Sequence, residues 1–275
     1  MVVKQILQDE KIIEFQEKIM KWWTKNKRRL PWRESPTPYN VMVSEVMLQQ
    51  TQVNRVVSKY EEFLKEFPNF EALANANRRH LLKVWSGLGY NRRALWLKEA
   101  ALNVLRLGEF PRTVTELKKL KGIGPYTSKS ILIFAFNEDI ATVDTNIRRV
   151  LISEGFATED MSLQELQDIA DRMLLKGRSG EWHNALMDYG ALELTASSTG
   201  IAPLTSQTCF EGSTRQLRGT LVRILTDSER LSFSQMMQHP ELEECDKEVL
   251  EDVLESLVQE EILERATHNV YRIAE

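Results

Sequence analysis

At 275 residues, with 42% hydrophobic and 28% charged residues, the chain is long enough to bury a sizeable core and to divide into more than one domain. No apolar run approaches the roughly 20 residues of a membrane-spanning helix, and the N-terminal stretch reads as amphipathic rather than secretory. Both features exclude a membrane protein and point to the cytoplasm, with association to the nucleoid in a prokaryotic source. Cys209 and Cys245 are too few for a disulfide framework or a metal site of their own. The net charge of -4 argues at first against nucleic acid, but it is unevenly spread. Residues 1–120 hold 22 Lys+Arg against 13 Asp+Glu, residues 121–212 hold 7 against 13, and residues 213–275 hold 7 against 14. Lys25 to Arg29, Arg78-Arg79 and Arg92-Arg93 are thus candidates for phosphate contacts, though each pair taken singly reads as a solvated surface.

In chain order, Ile12, Phe15, Ile19, Trp22 and Trp23 recur at helical spacing. Leu30-Pro31-Trp32-Arg33, with Pro36 and Pro38, breaks that pattern into a loop. A second helix begins near Asn40 and is read through Val53. Within it Glu45 stands among Val41, Val43, Val46 and Met47. A glutamate in such a segment commonly faces solvent, whereas burial beside Val46 and Leu48 would raise its pKa toward the range of a general acid. Further on, Leu120-Lys121-Gly122-Ile123-Gly124-Pro125-Tyr126-Thr127 places two glycines and a proline where a tight turn feeds a helix N-terminus and aims backbone N–H groups at an anion. The helix it starts contains the apolar run Ile131 to Phe136 and ends at Asn137-Glu138-Asp139. Asp144 then opens another helix. Beyond residue 213, helices at Leu217 to Leu225, Phe233 to Met237 and Val249 to Val258 precede a hairpin of Ile262 to Ala266 and Val270 to Ile273. That order suggests a winged helix. Glu248, Glu251, Asp252 and Glu255 on its third helix would repel phosphates, which favours packing on the rest of the protein or a protein partner over DNA reading. His80, His183, His239 and His268 show no ligand spacing.

The stretch from Leu120 to Thr127, with Asp144 after it, resembles the helix-hairpin-helix DNA glycosylase superfamily that includes endonuclease III. Pro31-Trp32-Arg33, the run Glu45-Val46-Met47-Leu48-Gln49-Gln50-Thr51 and Trp85-Ser86-Gly87-Leu88-Gly89-Tyr90 narrow the resemblance to the MutY family of adenine DNA glycosylases over roughly residues 15–195. The resemblance implies an all-α, two-lobed fold, a six-helix barrel and a second helical lobe with the DNA cleft between them, in residues 1–212. A small winged-helix-like domain would follow at 213–275. It implies that Glu45 protonates the adenine ring, that Asp144 steadies the sugar cation, and that Tyr126 lies in the pocket. Trp32, Arg33, Leu48 and Asp188 match pocket positions, Gln50 and Tyr90 match side chains that enter the duplex, and Thr51 and Leu88 beside them are expected to bind substrate as well. Gly122, Ile123, Gly124, Tyr126 and Thr127 would bind DNA phosphate, with room for a monovalent cation at the hairpin. Relatives that cut the backbone carry a lysine where this chain has Tyr126, so monofunctional base removal is implied, and Lys129 is out of register.

Three departures stand out. The family's iron-sulfur cysteines would fall at Leu194, Ile201, Leu204 and Phe210, all apolar, so no cluster is expected and a small hydrophobic cluster would take its place. No segment after residue 212 has the size of the family's 8-oxoguanine-sensing domain. Asp188 stands where many relatives carry glutamate. The expected substrate is double-stranded DNA with a mismatch or an oxidised guanine, bound by a monomer that removes adenine opposite 8-oxoguanine or guanine. Two alternatives stay open: a uracil or thymine glycosylase acting on G:U and G:T mismatches, and a DNA-structure-binding protein without catalysis.

Overall fold

A computed structural model describes residues 2–203, 209–267 and 269–275, with side chains from Asp9 onward. In chain order the helices are α1 (Val2–Asn26), α2 (Pro31–Glu34), α3 (Pro38–Leu48), α4 (Val53–Glu66), α5 (Phe70–Ala74), α6 (Arg78–Trp85), α7 (Arg92–Leu107) and α8 (Val114–Leu117). There follow α9 (Pro125–Phe136), α10 (Thr145–Ser153), α11 (Leu163–Arg172), α12 (Ser179–Leu192) and α13 (Ala196–Thr199). The C-terminal part contains α14 (Thr214–Asp227), β1 (Leu231–Ser232), α15 (Phe233–Met237), α16 (Lys247–Gln259), β2 (Leu263–Thr267) and β3 (Val270–Ile273).

Local signals explain most boundaries. Asn69, Asn77, Thr113, Asp144 and Asp246 accept hydrogen bonds from backbone N–H groups in the first turns of the helices they precede, and Ser162 and Ser232 form capping boxes with Glu165 and Gln235. Gly108 and Asn137 end α7 and α9 in the left-handed conformation. Two expectations need correction. The loop at Leu30 to Pro38 contains one helical turn, because Pro31 at the first helical position presets the backbone. The helix read from Asn40 through Val53 is two helices, broken after Leu48 by Gln50 at φ 55°.

The chain forms two compact units. The first comprises the chain up to Met42, Arg112–Lys119 and the stretch from Ile123 through α13. Its core gathers Phe15 and Ile19 of α1, Ile147, Val150 and Leu151 of α10, and Trp182, Ala185 and Leu186 of α12. Phe15 meets Trp182 edge-on with ring centroids 5.9 Å apart. Helices α10 and α12 approach so closely that a Cβ on Gly190 would stand 2.7 Å from the Asn146 carbonyl oxygen. Only glycine fits there, and the close approach fixes the helix that Asp144 caps.

The second unit comprises Val43–Pro111, Leu120–Gly122 and the stretch from Cys209 to Glu275. Phe63, Leu73, Leu81, Leu82, Trp85 and Leu97 are fully buried in its core. The C-terminal elements fold as a winged helix, with an antiparallel sheet in the order β1-β3-β2. The short strand β1, too brief to leave a periodic signal, pairs Leu231 with Tyr271. Helix α14 packs on α6, Arg79 Nε donates to the Thr226 carbonyl at 2.8 Å, and Lys83 pairs with Asp227 at 2.8 Å. Packing on the neighbouring helices, one of the two roles expected for the acidic tail, is therefore observed. No helix among the described residues is long and apolar enough to cross a membrane.

Candidate active site

The turn before α9 carries the hairpin residues, Gly122 counted with the second unit and Ile123 to Thr127 with the first. Gly122, at φ 77°, sits against Trp96, where an added Cβ would meet the Trp96 Cβ and Cε3 at 3.2 Å. Gly124 caps α9 with extended backbone and no side-chain cap, and a Cβ there would meet nothing within 4 Å. Folding thus explains the first glycine, while the space beside the second admits a close approach from outside. Ile123 and Thr127 are buried and Tyr126 is exposed.

Asp144 is the N-cap of α10. Its Oδ1 accepts from the Ile147 N–H at 2.7 Å and its Oδ2 from the Asn146 amide at 2.9 Å, so the carboxylate is clamped on both oxygens. Burial pushes its pKa above the ordinary carboxylate value, against the Ile147 and Asn146 hydrogen bonds and the Arg149 charge, which pull it down. Arg149 is itself buried, and its Nη1 donates to the carbonyls of Gly190 and Leu194 at 2.9 and 3.0 Å. It ties the end of α12 to the helix behind Asp144. Sequence reasoning assigned it no role.

Asp188 has 0% exposure. Arg33 reaches it with Nη1 and Nη2 at 2.8 and 2.9 Å, and Arg28 with Nε at 2.6 Å and its backbone N–H at 3.0 Å. Trp23 Nε1 adds a donation at 3.0 Å. Burial alone would raise this carboxyl, but the Arg33 and Arg28 contacts outweigh it and hold the pKa below the ordinary value. Asp188 therefore anchors Arg33, and Trp32 is buried beside it on α2. Arg28, grouped with the basic run open to phosphate, is committed to this internal pair.

The second unit carries Glu45, 8% exposed on α3 with Ser44 and Val46 buried on either side. Leu48 ends that helix, partly buried. Gln50 and Tyr90 both stand in the left-handed region, at φ 55° and 48°, and both are exposed. For residues with a Cβ this costs about 1–2 kcal/mol each, so something must hold them. Arg93 does. Its Nη1 donates to the carbonyls of Val46, Met47 and Gln49 at 2.7, 3.0 and 2.6 Å. Its Nη2 donates to Thr51 Oγ1 at 3.0 Å and to the carbonyls of Leu88 and Gly89 at 3.0 and 3.1 Å. One planar guanidinium thus pins the turn around Gln50 to the turn that ends at Tyr90, and Thr51 and Leu88 belong to that scaffold. Burial pulls the Arg93 pKa down to about 10, against a smaller upward pull from Tyr90. Of the Arg92-Arg93 pair only Arg93 needs correction as a surface or phosphate-facing feature, since it is buried, while Arg92 is exposed with its guanidinium 5.2 Å from the Trp96 ring centroid.

The helix-hairpin-helix base-excision DNA repair superfamily matches residues 43–173. The adenine DNA glycosylase of Mycolicibacterium smegmatis is 34% identical over 76% of this chain and 80% of its own length. The chain belongs to the adenine DNA glycosylase family. The human adenine DNA glycosylase is also 34% identical, over 84% of this chain, but the chain spans only 43% of its length. Among solved structures, a thermostable thymine-DNA glycosylase matches with a TM-score of 0.62 and 26% identity over 68% of this chain and 89% of that one. An endonuclease III–DNA complex, at 20% identity and a TM-score of 0.61 over 71% and 90%, supports the fold.

The four positions where the resemblance would put iron-sulfur ligands carry apolar side chains. Leu194 packs on the apolar core of the first unit, Ile201 is buried, Leu204 lies outside the described residues, and Phe210 is 50% exposed. These donors do not fit an iron-sulfur cluster, and exposed Cys209 is a single thiol. The expected apolar replacement needs correction at Phe210, which is solvent-facing beside Arg215 at 5.9 Å. His183 is structural: buried, it accepts from the Thr142 N–H at 3.1 Å and donates from Nδ1 to the Ser179 carbonyl at 2.7 Å.

Proposed function

We propose that the protein is a monofunctional DNA glycosylase that flips adenine out of a pair with 8-oxoguanine or guanine and hydrolyses its N-glycosidic bond. The observation that carries this is the clamped Asp144 carboxylate, held at a helix start that packing and Arg149 make rigid. Cleavage leaves electron density on the base and a deficiency at C1′, so the reaction needs a proton donor and a fixed anion. Glu45, buried among apolar neighbours, supplies the proton to a ring nitrogen of adenine, and the bond electrons leave with the base. Asp144 stabilises the sugar cation until water adds its hydroxide to C1′, and the remaining proton returns a donor to Glu45. An abasic site results.

Gln50 and Tyr90 enter the duplex in this account, and their strained, prearranged backbones limit the conformational entropy lost on insertion. Gly122 to Thr127 hold a phosphate. Tyr126, standing where a Schiff-base lysine would be needed, supports base removal without strand cleavage. Removal of uracil or thymine is less favoured, because the relatives named for adenine are 34% identical to this chain, whereas the thymine-DNA glycosylase is 26% identical.

Single-turnover excision with Glu45→Gln and Asp144→Asn tests the assignment. Each substitution lowers the rate by roughly 100-fold or more while duplex binding persists. Wild-type rates in either variant overturn it.

A further inference from the structure

Tyr90 and Phe210 are large side chains left in solvent, 40% and 50% exposed, and both lie in the second unit. Arg215, in the first turn of α14, stands between them. Its guanidinium carbon is 6.0 Å from the Tyr90 ring centroid and 5.9 Å from that of Phe210, and its Nη1 donates to the Tyr90 hydroxyl at 3.3 Å. Arg93 backs the Tyr90 ring at 5.5 Å. The winged helix therefore touches the residue that the proposed reaction inserts into DNA.

The presentation of Phe210 is ordered. Its carbonyl accepts from the Ser213 hydroxyl at 2.6 Å and the Ser213 N–H at 3.2 Å, and the Gly212 N–H donates to Gln216 at 2.8 Å. A ring left half in solvent is thus held on a structured turn. Two aromatic side chains partly in solvent on either side of a guanidinium suit a nucleic-acid strand, because bases stack on the ring surface left open and the cation meets phosphate. The domain has no comparable surface on its third helix, where Glu248, Glu251, Asp252 and Glu255 face an approaching backbone with like charge. Glu211, in the same turn, opposes phosphate as well, so the contact depends on Arg215.

We propose that Phe210 and Arg215 form, together with Tyr90, a DNA-contact platform through which the C-terminal winged helix grips the strand that Tyr90 enters. The platform rests on the glycosylase reading for its substrate, but its contacts are independent of the chemical step. It gives the tail a role in substrate binding beyond packing on α6.

The test uses the full chain and a fluorescently labelled duplex carrying a tetrahydrofuran abasic analogue opposite guanine, with affinity followed by anisotropy over a range of salt. Arg215→Ala is expected to weaken binding about 10-fold at low salt and to reduce the salt slope by about 1. Phe210→Ala is expected to weaken binding about 10-fold with the slope unchanged. Arg223→Ala, on the same helix but paired with Glu241, serves as the control and binds as wild type. Wild-type affinity and slope in the Arg215 and Phe210 variants would overturn the platform, as would an equal loss in the control. Adenine excision by the wild-type protein is measured in parallel. Failure to excise with normal duplex binding refutes the glycosylase reading alone; excision with unaffected variants refutes the platform alone.

Discussion

Arg33 grips Asp188 through two parallel hydrogen bonds of 2.8 and 2.9 Å, at a carboxylate with no solvent exposure. Removing one partner of such a pair leaves a charge buried without compensation, at about 3–5 kcal/mol. Asp188→Asn should therefore destabilise the fold by about that amount in urea unfolding. The depressed carboxyl pKa sets the pH dependence: its contribution is present above the unfolded value of about 3.9 and is lost as pH falls through the lower folded value. The wild-type advantage over Asp188→Asn should shrink in acid. A pH-independent difference would contradict this.

Arg93 holds both strained turns, and its fork shape matters more than its charge. Lysine cannot reach six acceptors from one ammonium, so Arg93→Lys should keep the helices but loosen Gln50 and Tyr90. The expected outcome is a loss of about 2–4 kcal/mol of stability from unpaired carbonyls, with base flipping impaired. Flipping can be followed by 2-aminopurine fluorescence in place of the target base. Normal flipping in a destabilised variant would limit Arg93 to a structural role.

The raised pKa of Asp144 has the opposite sign. A folded carboxyl that holds its proton more tightly than the unfolded one stabilises the fold in acid, and that contribution is lost as pH rises through the folded value. Asn caps a helix about as well as Asp. Asp144→Asn should thus melt at or above wild type at pH 7, with the difference narrowing toward pH 4, while excision is lost. A variant that melts well below wild type at pH 7 contradicts the sign.

The two hairpin glycines should separate in their effects. Gly122→Ala meets Trp96 and an unfavourable φ, at a cost of about 2 kcal/mol or more. Gly124→Ala should fold as wild type, since nothing lies within 4 Å, yet bind duplex DNA more weakly because the methyl group stands where phosphate approaches. Differential scanning calorimetry and anisotropy distinguish the two.

The hairpin, the cap at Asp144 and the order of the winged helix were legible because their signals are local. Gly122 to Pro125 specifies a turn by itself, Asp144 is a capping residue ahead of Ile147, Val150 and Leu151 at helical spacing, and Leu250, Leu254 and Leu257 recur in the same way. The break at Gln50 was not legible, since its left-handed backbone is imposed by Arg93 from a different helix. For the same reason Arg28 and Arg93 read as surface cations: a sequence shows charge but not the acceptors that three-dimensional packing brings to it. Phe210, aligned with apolar positions, gave no sign that Arg215 would hold it in solvent.

Removal of adenine is the activity proposed for this chain. Duplexes carrying A:8-oxoG, A:G, T:G and U:G, incubated with excess protein and then treated with alkali, measure it directly. Abasic sites are expected at adenine in the first two duplexes, with a modest preference of about 10 to 100-fold for A:8-oxoG from one base contact and no strand cleavage before alkali. Excision confined to T:G and U:G, with both adenine duplexes intact, would contradict it.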